Sequence, residues 1–307
     1  MKVTVLTGGV GGAKLVLGLL RVLPADAVTA IVNTGDDFRH IGLHVSPDID
    51  TLLYTLSGKS NLAQGWGRAD ESWNFLESLR DLGGPDWFQL GDRDVALHVL
   101  RTARLAGGEG LDQITADIAR RFGIGATILP MSNDRVATRL DTDEGDLDFQ
   151  HYFVARRCAP KVTRIGFDGA ETARPAPGVI AAITDADAVL VAPSNPFLSV
   201  DPLLAVPGIR AALVATAAPV VAVSPIIGGK AVKGPTAKLM EELGIRLANA
   251  SIAAHYGDCI DGLIIHDGDD APEGLAIART DTLMHDDADK ARVAQVALDL
   301  AARIAGR

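Results

Sequence analysis

The residues best suited to chemistry sit in short polar or glycine-rich runs that follow apolar ones. The first is Thr7-Gly8-Gly9-Val10-Gly11-Gly12-Ala13-Lys14, placed where an apolar strand gives way to a helix. Backbone amides at such a junction can face an anion, the helix dipole favours negative charge there, and the missing Cβ atoms let a phosphate approach closely. A tight turn without a ligand would use the same glycines. Two familiar phosphate loops do not fit. The Walker pattern needs Gly-Lys-Ser/Thr where Ala13-Lys14-Leu15 stands, and a dinucleotide fingerprint wants a small residue in place of Lys14. Lys14 either neutralises a phosphate or lays its stem along the helix as a surface lysine.

Asn33-Thr34-Gly35-Asp36-Asp37 follows the second strand, so Asp36 and Asp37 are expected at the carboxyl edge of a sheet, where open α/β folds bind ligands. Paired carboxylates there can hold Mg²⁺ against substrate phosphates, or form an Asx-turn in a solvated loop. Ser46-Pro47-Asp48-Ile49-Asp50-Thr51 opens a helix, with one aspartate expected to cap it and the other left to bind something else. Gly91-Asp92-Arg93-Asp94 opens another helix, and its arginine is a surface charge or a recognition group. Pro193-Ser194-Asn195-Pro196 and Ser224-Pro225-Ile226-Ile227-Gly228-Gly229-Lys230 each follow an apolar strand, and Lys230, Lys233 and Lys238 offer one further candidate phosphate ligand. The seven histidines show no zinc-type spacing, and no Gly-x-Ser-x-Gly or Cys-His pattern suggests a covalent nucleophile.

The elements that must position these residues are α/β in rhythm. Strand signals at 2–6 and 28–32 flank a helix at 13–23, a βαβ opening of the kind that builds parallel sheets. A polar loop follows at 33–47. Helical periodicity dominates 71–82, 95–105 and 111–122, and short strands at 126–129, 136–140 and 147–154 are expected to cover an edge of the structure. The α/β rhythm returns from 161, with strands near 162–165, 188–192, 220–224 and 263–266 and a closing helix at 293–304. The expected fold is thus α/β and Rossmann-like: a mostly parallel sheet with helices on both faces. A core of 1–58 and 161–307 carries an inserted, mainly helical subdomain at 59–160 with short strands. No internal repeat is visible.

Composition limits the function classes. With 48% hydrophobic residues over 307, the chain can bury a large core. Thirty-nine acidic against 29 basic residues give a net charge of -10, which opposes binding to nucleic acid or to an anionic membrane. The uncharged run 211–229 is long enough for a span, but Pro219 and Pro225 interrupt it and its centre reads as a buried parallel strand. Two cysteines and no signal-type leader point to the cytoplasm.

Taken in order, Gly8-Gly9-Val10-Gly11-Gly12-Ala13-Lys14-Leu15, Asn33-Thr34-Gly35-Asp36-Asp37, Ser46-Pro47-Asp48-Ile49-Asp50-Thr51, Gly91-Asp92-Arg93-Asp94, Leu129-Pro130-Met131-Ser132, Pro193-Ser194-Asn195-Pro196 and Ser224-Pro225-Ile226-Ile227-Gly228 resemble the 2-phospho-L-lactate transferases of coenzyme F420 biosynthesis. The resemblance runs from Met1 to Asp281-Thr282-Leu283-Met284. It implies a Rossmann-like, dimeric, Mg²⁺-dependent enzyme that moves a phospholactyl-type group, or an enolpyruvyl or glyceryl analogue, from a guanosine diphosphate-linked donor to a hydroxyl of the deazaflavin Fo, releasing GMP. On that resemblance Asp50 and Arg93 contact the deazaflavin. Gly8, Gly9, Gly11 and Gly12, with Ser194 and Asn195, make the guanylate site, to which Lys14 is added as a candidate phosphate contact. Asp36 and Asp37 are the candidate metal ligands, and Asp50 and Asp37 the catalytic carboxylates.

The nucleotide-sugar-binding regulators of the gluconeogenesis-factor family share a glycine loop and an aspartate pair and are the alternative. Ser-Pro-Asp-Ile-Asp-Thr with Gly-Asp-Arg-Asp reads as an acceptor site, which a pure binder would not need. A nicotinamide dehydrogenase fits less well, for want of an intact fingerprint.

Overall fold

The computed structural model describes residues 1–231 and 234–306. Its centre is a seven-stranded, wholly parallel sheet of β1 (Val3–Thr7), β2 (Val28–Val32), β5 (Thr127–Pro130), β9 (Ala188–Val191), β10 (Val220–Val223), β13 (Gly262–His266) and β14 (Ala276–Thr280), in the order β14-β13-β10-β9-β1-β2-β5. β1, β9 and β10 are apolar runs buried at nearly every position, as strands covered on both faces must be. Alternate side chains feed two cores: Val3, Val5, Leu190 and Val221 point to one, Leu6, Val189, Val191 and Ala222 to the other.

The first core is closed by α1 (Gly9–Val22), α2 (Pro47–Leu56), α5 (Leu111–Arg121) and α11 (Asp287–Ile304). The second is closed by α6 (Val179–Thr184), α7 (Asp201–Ala205), α8 (Ile209–Ala215), α9 (Thr236–Glu242) and α10 (Asn249–Tyr256). The expected doubly wound α/β architecture is therefore present. Strand order reverses between β1 and β9, since β2 and β5 lie to one side of β1 and the later strands to the other, and ligands of such sheets bind at that reversal. Among the described residues no single helix is long and apolar enough to cross a membrane, and much of the run 211–229 is the end of α8 and the buried β10.

Several expected elements move. The strand at 126–129 is not an edge cover apart from the core. As β5 it pairs in parallel with β2, from Thr29 opposite Thr127 to Val32 opposite Pro130. The strand near 162, expected in the core sheet, is β8 (Val162–Asp168), which joins β6 (Ala137–Thr142) and β7 (Gly145–Asp148) in a separate antiparallel sheet ordered β7-β6-β8. Strand 147–154 stops at Asp148, and His151–Ala155 forms one wide helical turn. The helical insertion, including α3 (Asn74–Asp81) and α4 (Asp92–Ala106), thus lies between two core strands, β2 and β5. Inside the expected polar loop 33–47 lies a hairpin, β3 (Phe38–His40) with β4 (Leu43–Val45). A second small hairpin, β11 (Ile226–Ile227) with β12 (Lys230–Ala231), follows β10.

Candidate functional site

The glycine run was expected as a turn before a helix starting at Ala13, but α1 begins at Gly9, so the glycines form its first turn. Their reasons differ. A Cβ on Gly8 would stand 2.7 Å from the Asp48 carboxylate and 2.8 Å from the Ser199 Cβ, and one on Gly11 would stand 2.6 Å from the Pro193 carbonyl oxygen. One on Gly12 would overlap the Thr7 hydroxyl. These three glycines let the chain pack against itself. Gly9 differs: its φ of +64° favours glycine, and an added Cβ would meet nothing nearer than 3.9 Å. Space for a ligand is therefore beside Gly9, not at all four positions.

Four sequence motifs meet here through direct hydrogen bonds. The Gly9 amide donates to Asp48 Oδ1 at 2.7 Å, and Asn33 Nδ2 donates to Asp48 Oδ2 at 3.0 Å. Ser194 Oγ donates to the Gly8 carbonyl at 2.7 Å across the β1/β9 reversal. Asp48 was expected either to cap its own helix or to stay free. Instead it caps α1, filling one of the amide positions that a helix N-terminus leaves unpaired. Burial pushes its carboxyl up to about 6, against the hydrogen bonds from Asn33 and Gly9 that favour the charged form.

Asn33 is the Asx-turn residue of its motif, accepting from the Gly35 amide at 2.7 Å, and this leaves Asp36 and Asp37 for other work. Both are buried. Asp37 Oδ2 accepts from Ser46 Oγ at 2.7 Å and lies 3.1 Å from His44 Nε2, while Oδ1 of Asp36 and Oδ1 of Asp37 are buried without a hydrogen-bond partner. Burial raises both carboxyls, Asp36 further because Asp48 stands near it, and His44 and Ser46 hold Asp37 back. Buried, partnerless carboxylate oxygens whose charge is penalised are hard donors suited to a divalent cation, and Mg²⁺ commonly takes one or two carboxylates with phosphate and water completing its shell. No group of three or more His, Cys, Asp or Glu among the described residues forms a fuller cage.

Asp50 is far from free. Arg101 Nη1 donates to its Oδ2 at 3.0 Å and Nη2 to Oδ1, making a bidentate pair in which Arg101 is 1% and Asp50 5% exposed. His98 joins them, its Nδ1 3.3 Å from Arg101 Nη1 and 3.7 Å from Asp50 Oδ2, and burial brings it down to about 4. One turn away on each helix, Tyr54 OH donates to Asp94 Oδ1, and burial pushes the Asp94 carboxyl up to about 7 even though Tyr54 opposes the shift. Arg93 is on the outside of the same helix: its guanidinium is half exposed and 4.0 Å from Asp70. The start of α4 is capped by Glu71, which accepts from the Arg93 and Asp94 amides at 2.7 and 3.1 Å.

The structure thus joins the helices carrying Asp50 and Arg93 but gives the two side chains opposite surroundings. Arg101, His98, Tyr54 and Glu71 were not anticipated, and Asp94 was named only as part of its motif. The only local signal was the four-residue spacing of Asp50 with Tyr54 and of Asp94 with His98, which puts each pair on one helix face.

Asn195 Oδ1 accepts from the Phe197 and Leu198 amides at 3.0 and 3.2 Å, while its Nδ2 is buried with no partner. Ser224 bonds Asn249 Oδ1 at 2.6 Å, and the Gly228 and Gly229 amides each reach Asp269 at 3.2 Å, so this third turn is occupied by its own neighbours. Lys14 Nζ donates to the Met284 carbonyl at 2.6 Å, tying α1 to the segment before α11. Lys238 bonds the Pro160 carbonyl at 2.7 Å and Glu242 at 2.6 Å, Lys230 is exposed, and Lys233 lies outside the described residues.

Comparison with known proteins shows the family and the fold. The family model for 2-phospho-L-lactate transferase CofD matches residues 3–303. A phosphoenolpyruvate transferase of Kitasatospora aureofaciens is 43% identical, with 99% of each chain covered, and one of Streptomyces coelicolor is 42% identical at the same coverage. In three dimensions the chain is similar to a UPF0052-family protein of Bacillus halodurans, with a TM-score of 0.64 at 18% identity over 97% of this chain and 98% of that one, a likeness of fold. With its glycine-started helix, aspartate pair and Ser-Asn turn gathered at one sheet edge, the chain belongs to the 2-phospho-L-lactate transferase (CofD) family.

Proposed function

We propose that this enzyme transfers a phosphoenolpyruvyl group from a guanosine diphosphate-linked donor to a ribityl hydroxyl of the deazaflavin Fo, releasing GMP, in coenzyme F420 biosynthesis. The observation that carries this is the meeting of Gly9, Asp36, Asp37, Ser194 and Asn195 at the carboxyl ends of β1, β2 and β9, with partnerless polar atoms on Asp36, Asp37 and Asn195. The relatives' name favours the enolpyruvyl donor among the three acids considered. In the step, the acceptor oxygen bonds to the phosphorus carrying the three-carbon acid, the bridging P–O bond to the guanylate breaks, and the hydroxyl proton leaves to a base or water. No covalent enzyme intermediate is needed, because positioning and charge neutralisation carry such transfers.

Within this scheme the first turn of α1 beside Gly9, with Ser194 and Asn195, holds the guanylate phosphates. Asp36 and Asp37 hold Mg²⁺, which when bound neutralises diphosphate charge. Asp50, fixed by Arg101, orients the acceptor hydroxyl, and the half-exposed Arg93 contacts the acceptor. Lys14, already engaged with Met284, is the least suited of the proposed phosphate ligands. A cytoplasmic homodimer completes the proposal. The deciding experiment incubates the protein with Fo, Mg²⁺ and each synthetic donor and weighs the products. The phosphoenolpyruvyl adduct of Fo together with GMP is expected. Failure to turn over any donor, with nucleotide binding retained, would favour the regulator instead.

A further inference from the structure

Five rings gather beside the site in a chain that is only 5% Phe, Trp and Tyr. Phe38 and His40 come from β3, Trp87 and Phe88 from the segment just before α4, and His151 from the wide turn after β7. Phe38 meets Phe88 edge-on at 4.8 Å between centroids and Trp87 at 6.0 Å, His40 meets Trp87 at 5.3 Å, and Trp87 lies over His151 at 4.3 Å with 31° between planes.

The group is joined to the proposed chemistry through the chain and through His40. Phe38 directly follows Asp37, and Phe88 precedes Arg93 by five residues. His40 is also near enough to His98 to add to the lowering of that imidazole beside Asp50. Phe38, Trp87 and Phe88 are all only half buried. By contrast Phe197 and Tyr256, which pack around His255, are 5% and 1% exposed and belong to the core. Partly open aromatic faces assembled from three distant segments form a platform for another flat ring, since stacking gains from any π-face without needing hydrogen-bond partners.

We propose that Trp87, with Phe38 and Phe88, is the wall against which the planar ring system of the acceptor lies, setting the enzyme's preference for a tricyclic acceptor. This rests on the deazaflavin reading above. Bound there, the ring would direct its ribityl chain past Asp37 toward the phosphate site.

The test titrates Fo, followed by its own fluorescence, into wild type, Trp87→Ala, Trp87→Phe and Phe88→Leu, with GDP titrated in parallel. Stacking predicts that Trp87→Ala weakens Fo by about tenfold or more. Trp87→Phe should stay within about threefold of wild type and Phe88→Leu, which keeps apolar bulk but lacks the ring, should fall between, with GDP affinity unchanged throughout. Wild-type affinity for Fo in folded Trp87→Ala overturns the wall, as does parallel loss of Fo and GDP. Should Trp87→Ala not fold, Phe88→Leu decides: unchanged Fo affinity there overturns the proposal. Absence of Fo binding by wild type overturns the functional reading itself, which keeps the two failures apart.

Discussion

Replacing Arg101 by leucine strands the Asp50 carboxylate in a place water barely reaches. Arg101 and Asp50 side chains are 1% and 8% exposed, and both guanidinium Nη atoms are spent on the carboxylate. Breaking a buried pair by removing one partner costs about 3–5 kcal/mol, because the remaining charge keeps its desolvation penalty without its attraction. Replacing both partners by apolar residues of similar size is often near neutral. For a chain of this size a loss of about 4 kcal/mol lowers the melting temperature by roughly 6 °C.

Thermal and urea melts of Arg101→Leu, Asp50→Leu and the double variant should therefore show two destabilised singles and a double that recovers at least half the loss. A single Arg101→Leu within about 1 kcal/mol of wild type, or losses that simply add in the double, would refute the buried-pair account. The stable double variant then separates structure from function. It should keep GDP affinity and lose Fo, and retention of Fo would remove Asp50 from the acceptor site.

GDP should raise the melting temperature by mass action, about 2.7 kcal/mol of stabilisation at a hundred times its Kd, whereas uridine diphospho-sugars should not; the reverse ranking would favour the regulator. Asp94 is raised to about 7 by burial, so its contribution to stability is fully present below the ordinary carboxylate range near 4 and is lost as pH rises toward 7. The stability of wild type relative to Asp94→Asn should thus fall between pH 4 and 7, with a slope of at most about 1.4 kcal/mol per pH unit, and a flat difference in urea melts would contradict the burial effect. Because burial raises Asp36 and Asp37, Mg²⁺ binding should release protons, seen calorimetrically as a dependence of the apparent enthalpy on the buffer's ionisation heat. Asp36→Asn should release fewer protons than wild type, and an unchanged release would place the cation elsewhere.

Much of the site was legible because it is local. A glycine run after an apolar strand, polar turns after 188–192 and 220–224, and Asp36-Asp37 after β2 each announce a strand's carboxyl edge through residues adjacent in the chain, and period and turn chemistry act over that range. The ordered motifs likewise carried the family. Tertiary structure decided what depends on pairs distant in sequence. β5 joins the core and β8 leaves it because strand pairing is chosen by partners, and a four-residue apolar run carries no label for its neighbour. Gly8 and Gly11 look like phosphate glycines until Asp48 and the Pro193 carbonyl are seen packed against them. Asp48 and Asp50, two residues apart, look interchangeable. They project in different directions from α2, so one meets the N-terminus of α1 and the other a buried arginine on α4, and those partners, not the aspartates' own type, set what each carboxylate does.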